Sequence, residues 1–367
     1  MKINKKLEPK APPKAKMESL QYDLFSQFLT NNEKAVSNTI EIWESIPKYF
    51  FTQAQIEKLR TESGHADPYK WDYVYEGICF SIKIQPALVE QKDGTYKAFF
   101  PGATEELVEE VLKKILTDQN CGFHDTKNEE TWVKFSLSML YRELKALGRE
   151  RNRNQIKHAL EVMSSSLLTL YKDGKEIWKG SILQDLITVG REEYIADTEA
   201  LHMARLPLFI SHGINTLGYR QFNYSKLMTC DEQLTRWLYK QLINRYRQAS
   251  MLNDYHFMYS TIAKNSGLLQ QATERKNRQK LVSSLEELKE KRVISSYKEE
   301  KKMDGRKVID VKYTIVPTME FTSEQKASNK RHQDSYQTLL SKEEVLTVGK
   351  TERSPLLVFN KAKESSK

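Results

Sequence analysis

Seven histidines, three cysteines and a few adjacent carboxylates are the side chains of this sequence with types suited to catalysis. The histidines never fall as His-x-His or His-Glu-x-x-His, so the spacing of a metal-dependent nickase or zinc hydrolase is missing. Gly349-Lys350-Thr351 ends like a phosphate-binding loop, but that loop needs a glycine five positions earlier, where the sequence has Glu344. Glu105-Glu106 and Glu192-Glu193 read as solvated helix faces rather than catalytic pairs. Cys79, Cys121 and Cys230 are odd in number and far apart, which fits reduced thiols. No enzyme activity, metal or cofactor is expected. The chemistry that remains is recognition, by cationic and amide side chains gathered on two helical segments.

The first such segment lies between Tyr255 and Val316. An aromatic strand (Tyr255, Phe257, Tyr259) leads to Ser260, an N-cap candidate, and a short helix that Ser266-Gly267 stops. The next helix buries Leu281, Leu285 and Leu288, spaced i, i+4, i+7. A rotation of about 100° per residue then puts Ala272, Lys276, Gln279 and Ser283 on the opposite face, flanked by Arg275 and Lys280. A hairpin follows, turning at Asp304-Gly305, with Lys301, Lys302, Arg306 and Lys307 at its tip. This order is that of a winged helix-turn-helix, with one helix in the major groove and a basic wing over the backbone. Alone, the stretch also reads as an amphipathic helix beside a solvated hairpin.

Trp132 to Leu183 repeats the order. Trp132, Val133 and Phe135 form a strand, Ser136 to Leu147 a helix, and Gly148 its stop. The next helix buries Ile156, Leu160, Met163 and Leu167, and a hairpin turns at Asp173-Gly174. Arg151, Asn154 and His158 face away from that stripe, with Arg149, Arg153 and Lys157 nearby. An internal duplication explains both stretches. Asn154 and Gln279 suit the adenine edge, and Arg151 and Lys276 suit guanine; Ser283 and His158 are further base-edge candidates. Arg149, Arg153, Lys157, Arg275, Arg278, Lys280 and the wing cations are expected at phosphates or on the flanks.

The supporting elements are legible in outline. Tyr73 to Ile84 alternates as strands, Asp93-Gly94 marks a hairpin, and Thr104 opens a helix carrying Leu107, Val111 and Ile115. Thr229 and Glu232 suggest a capping box before a helix with Leu234, Leu238 and Leu242 inside and Arg236, Lys240, Arg245 and Arg247 outside. The 367 residues suffice for two domains, and 39% hydrophobic content lets each bury a core. A net charge of +9 favours an anionic partner, nucleic acid before membrane. The sequence lacks an apolar spanning segment or signal peptide, so a cytoplasmic, nucleoid- or plasmid-associated protein is expected.

Residues 1–18 form a basic arm with Pro9, Pro12 and Pro13 that cannot build a core. In residues 19–32, Gln21-Tyr22-Asp23-Leu24-Phe25 resembles the bacterial sliding-clamp-binding pentapeptide, whose Gln and Leu-Phe pair, here Gln21, Leu24 and Phe25, enter clamp pockets. The other reading makes Leu20, Leu24, Phe25 and Phe28 one face of a helix docked on the protein itself. Residues 320–367 read as a largely disordered tail, with Leu356 to Phe359 either a docking patch or nothing.

Tandem winged helices, a basic arm and a clamp-like motif together resemble the plasmid replication initiators of the RepA/TrfA-like, iteron-binding kind. Leu217 to Tyr224 and Thr235 to Lys240 look like the segment between their two domains. The implied fold class is α+β: winged-helix domains over 33–225 and 226–319, short β-hairpin wings, and disordered basic termini. The resemblance implies binding to direct repeats of double-stranded DNA at an origin, and dimerisation through the N-terminal domain off DNA. It also implies recruitment of the host initiator, replicative helicase and clamp. A transcriptional regulator or autorepressor is the alternative; a relaxase or primase and a structural chromatin binder are weaker ones.

Overall fold

The structure, a computed structural model, describes residues 24–30, 33–118, 120–250 and 252–340. Its first helix, α1, is described over residues 24–28, where Leu24 and Phe28 are buried. β1 (Val36–Ile40), the turn α2 (Glu41–Glu44) and α3 (Gln53–Leu59) follow, and a reciprocal Thr52-Gln55 capping box starts α3. β2 (Tyr69–Tyr75) and β3 (Ile78–Gln85) turn at Glu76-Gly77, both at positive φ, the geometry whose twist suits two-residue hairpins. β4 (Ala87–Glu90) and β5 (Tyr96–Phe99) turn at Asp93-Gly94, as the sequence predicts.

The first repeated unit comprises α4 (Ala103–Leu116), β6 (Gly122–Asp125), β7 (Glu130–Phe135), α5 (Leu137–Ala146), α6 (Arg153–Ser165), β8 (Leu167–Lys172) and β9 (Lys175–Gly180). Ile156, Leu160 and Met163 are buried, whereas Leu167 has already entered β8. The connection continues through β10 (Asp185–Ile187), α7 (Arg191–Ala196), β11 (His202–Arg205), α8 (Leu208–Asn215), β12 (Tyr219–Asn223) and α9 (Tyr224–Thr229). The second unit is α10 (Gln233–Arg245), β13 (Tyr255–Met258), α11 (Tyr259–Ser266), α12 (Glu274–Glu290), β14 (Ile294–Asp304) and β15 (Lys307–Pro317). Helix α13 (Met319–Leu340) closes the described chain.

Strand pairing separates the two units. β13 pairs with β15 and β15 with β14, so the strand before α11 lies on the wing, as in a winged helix. In the first unit β7 pairs instead with β6 and β11, and β8–β9 extends β2–β3 into the four-stranded sheet β2-β3-β8-β9. The expected first wing therefore joins a larger sheet through β8, where Leu168 and Leu170 are buried, while β9 forms the sheet edge and the Asp173-Gly174 tip stays exposed. The second wing is not short: each of its strands has 11 residues.

Other expectations are corrected. The chain from Glu320 to Leu340 is helical, not disordered: Phe321 enters the core, Ser328 Oγ donates to Gln221 O at 2.8 Å, and Arg331 donates to Leu29 O at 2.7 Å. Residues 1–18 and 341–367 lie outside the described residues. The helix face expected to be outside on α10 is partly inside. Arg236 and Lys240 are 2% and 5% exposed, and Arg236 pairs with Glu106 at 2.8 Å. Lys240 Nζ lies 2.8 Å from Glu44 and 2.9 Å from Glu110, and Lys113 is 2.7 Å from Glu110 and also bonded to Glu44. Glu109 completes the cluster by accepting from Trp43 Nε1 and Tyr49 OH. So neither Glu105, which accepts from Gly102 N at 2.8 Å, nor Glu106 is a solvated face; Glu44, Glu106 and Glu110 are tolerated in the interior because a lysine or arginine meets each, and Glu109 because two side chains donate to it. Glu192 and Glu193 are exposed, as expected.

Candidate nucleic-acid interface

The helix pair α11–α12 is held from several sides. α11 begins at Tyr259, not after Ser260, and it is capped from the wing: Asp310 accepts from Ser260 N at 3.1 Å and from Ser260 Oγ at 2.6 Å. Gly267 ends α11 at φ +65, and a Cβ there would lie 2.8 Å from the Phe50 ring. Thr273 caps α12 by accepting from Lys276 N at 3.3 Å, which leaves Ala272 before the helix rather than on its face. Asn277 is buried and its Oδ1 accepts from Gln271 N at 2.7 Å, pinning the turn. Tyr259 OH donates to Glu274 at 2.5 Å.

This scaffold leaves the N-terminal half of α12 outside. Arg275, Lys276, Gln279 and Ser283 are exposed, and Arg278 is half-buried on the flank. Toward the C-terminus the face turns acidic, with Glu286 bonded to Lys289 and Tyr297. The cationic part thus coincides with the part of a recognition helix that reaches base edges. Lys280 departs from expectation: its Nζ donates to Leu268 O at 3.1 Å, and burial lowers its pKa. It ties α12 to the preceding turn and is not presented to a phosphate.

On the wing, Lys301, Lys302, Arg306 and Lys307 are all exposed. Lys301 lies 3.4 Å from Glu299, while Lys302, Arg306 and Lys307 have no carboxylate within 4.0 Å among the described residues. A bulge between Lys302 and Met303 twists the tip.

The first unit keeps fewer of its expected contacts. Asn152 and Gln155 cap α6 reciprocally at 2.9 Å in both directions, and Arg153, Asn154 and Lys157 are exposed. His158 is half-buried with its ring 4.4 Å from that of Phe99 on β5, and burial lowers its pKa, so it is a packing residue. Arg149 is held by Met228 O at 2.7 Å and by Asp231 at 2.7 Å. Arg151 is half-buried and donates to Glu150 O at 2.9 Å; burial, then Arg149 and Arg236, lowers its pKa. These three are withdrawn from the face because the β4–β5 hairpin packs on His158, the start of α4 on Arg151 and the α9–α10 turn on Arg149, where open solvent was expected.

That same turn connects the two units. Asp231 takes Arg149 on its carboxylate, while its N–H donates to Glu287 of α12. Glu287 also accepts from Glu232 N at 3.3 Å and from Thr235 Oγ1 at 2.5 Å. The start of α6 and the body of α12 are therefore joined through one short segment. Sequence reasoning missed Asn277, Asp310, Asp231 and Glu287. Only Asn277 carried a signal, being a polar residue four positions before Leu281 on the buried stripe.

The clamp-like segment is not free in this conformation. Leu24 is fully buried, and Phe25 stacks on Phe28 and on His124, with centroids 6.4 Å and 5.8 Å away. The docked-helix reading describes these two side chains; Gln21 lies outside the described residues. No helix of the described residues is long and apolar enough to cross a membrane.

No protein-family model matches the sequence, and no curated protein does. Among solved structures the chain is similar to RctB domains 2–3, at 11% identity and TM-score 0.43, over 74% of this chain and 97% of that one. It is also similar to the Pi initiator protein in complex with iteron DNA, at 13% identity and TM-score 0.35, over 78% of this chain and 99% of that one. Overlaps at this level set no correspondence between individual residues.

Proposed function

We propose that this protein binds double-stranded DNA carrying direct repeats at a plasmid origin and initiates replication there. The observation that carries the reading is the exposed, cationic N-terminal half of α12, fixed by buried Asn277 and flanked by a basic wing. Gln279 pairs with an adenine edge and Lys276 with guanine, Ser283 and Arg275 reach adjacent groups, and Arg278 lies along the backbone. Lys301, Lys302, Arg306 and Lys307 neutralise phosphates. In the first unit Arg153, Asn154 and Lys157 take the part once expected to include Arg151 and His158. Both units then read one repeat, with their separation held by Asp231.

The resemblance to plasmid initiators adds the rest of the proposal: a dimer off DNA, and recruitment of host initiator, helicase and clamp. Clamp binding requires Leu24 to leave the core and Phe25 to leave its half-buried place against Phe28 and His124. Footprinting on DNA flanking the gene tests the central reading. A ladder of evenly spaced protections is expected. A single two-fold site would replace initiation with ordinary repression, and no protection at all would remove the DNA-binding reading.

A further inference from the structure

Arg220, on β12 opposite Thr39 of β1, has a charge that its surroundings do not balance. It is only 8% exposed, its Nη2 donates to Asn329 on α13, and its Nε has no acceptor among the described residues. No carboxylate oxygen lies within 4.0 Å of it among the described residues, whereas buried Arg236, Lys113 and Lys240 all meet one. A guanidinium this deep without a counter-charge is unfavourable. Burial, and then Arg247, pull its pKa down to about 10, with Glu41 offsetting part of the effect. That acid is engaged elsewhere: Glu41 lies 2.5 Å from Arg247 and 4.0 Å from Arg245.

Arg220 lines a pocket of about 270 Å³ between α2, the β2–β3 turn, the end of α8 and α13. Arg247, His212 and His332 line it too, against the acids Glu41 and Glu76. Each guanidinium keeps part of its donor set: Arg220 beyond the Nη2 bonded to Asn329, and Arg247 beyond the Nη2 paired with Glu41 and the Nε that donates to Asn244 O at 2.7 Å, so a tetrahedral oxyanion can accept from both. The volume exceeds that of a bare phosphate and falls just below the usual range for drug-sized ligands, about 300 to 1,000 Å³. We infer that this pocket binds a small phosphate-bearing anion, with Arg220 as the buried anchor and Arg247 as the contact at the solvent side. The site is separate from α12 and its wing, so it stands or falls independently of DNA reading.

Thermal unfolding of the full chain tests it, with inorganic phosphate, ATP and chloride compared at matched ionic strength. Millimolar phosphate is expected to raise Tm by about 2 to 4 °C over chloride. Arg220→Met should abolish the rise and Arg247→Gln should at least halve it. Arg247 is half-exposed, so the second variant gives a readout even where the first fails to fold. A larger rise with ATP than with phosphate assigns a nucleotide; equal rises assign the phosphate group alone. A rise matched by chloride, retained in Arg247→Gln, or absent with both phosphate probes overturns the site.

Discussion

Gln279 and Lys302 sit on the same domain yet should fail in different ways. Gln279 is exposed on the reading half of α12, so Gln279→Ala should cost about 1 to 3 kcal/mol on the cognate repeat and little on random DNA. Equal losses on both, in quantitative gel-shift titrations, would end its assignment to a base edge. Lys302 has no carboxylate partner within 4.0 Å among the described residues, so Lys302→Ala should weaken binding to every sequence and reduce the salt slope by about one. Arg149 makes the useful contrast. Because Asp231 and Met228 O already hold it, Arg149→Ala should lower stability while leaving that slope unchanged; a flattened slope would return it to the phosphates. These differences were only half legible in the sequence. Periodicity along one helix placed Gln279 and Lys276 on its exposed face, as the structure has them, because what orients α12 is its own leucine stripe. It misplaced Arg149, Arg151, His158 and Lys280, because what covers them lies outside their own helices: Phe99, Thr104 and Met228 in distant segments, and Leu268 in the turn before α12.

At the level of elements, local signals were reliable wherever a turn needed a particular backbone. Gly94, Gly174, Gly267 and Gly305 all take positive φ at the stops and hairpins where the sequence placed them. Gly267 also has Phe50 packed against it, so it joins the helix pair to the N-terminal half. Gly267→Ala should destabilise by more than the roughly 1 kcal/mol of a left-handed alanine, since a Cβ 2.8 Å from a ring carbon forces that ring to move. Urea unfolding measures this, and a cost below that figure would show that Phe50 yields freely. Pairing between elements was not legible. The helices and hairpin of the first unit were found, but nothing in β8 says that its partner is β3, some eighty positions upstream.

On the scale of the molecule, the buried charges set how the halves stay together. Removing one partner strands the others, so Lys240→Met should cost about 3 to 5 kcal/mol, and adding Glu110→Gln should recover part of it. Equal or greater loss in the double variant, by urea unfolding, would show that the cluster is not coupled through this pair. Burial alone would raise the pKa of Glu44, but Lys113, Lys240 and Lys48 together bring it far below the ordinary glutamate range. A depressed carboxylate stabilises the fold above its unfolded pKa, and that contribution is lost as pH falls toward the folded one. Acid unfolding should therefore begin below about pH 4.3 and move to higher pH in Lys240→Met. None of this was visible beforehand, since a basic helix face looks the same from sequence whether water or the glutamates Glu44, Glu106 and Glu110 lie opposite.

The bonds from α13 to the first described helix reach across almost the whole chain: Arg331 to Leu29 spans 302 positions, and Ser335 to Gln27 spans 308. Residues 27 and 29 therefore lack these partners until the roughly three hundred residues that follow them have been made. The first helix is thus fastened from α13 only late, so its final seating waits on a segment far downstream rather than on its own neighbours in sequence.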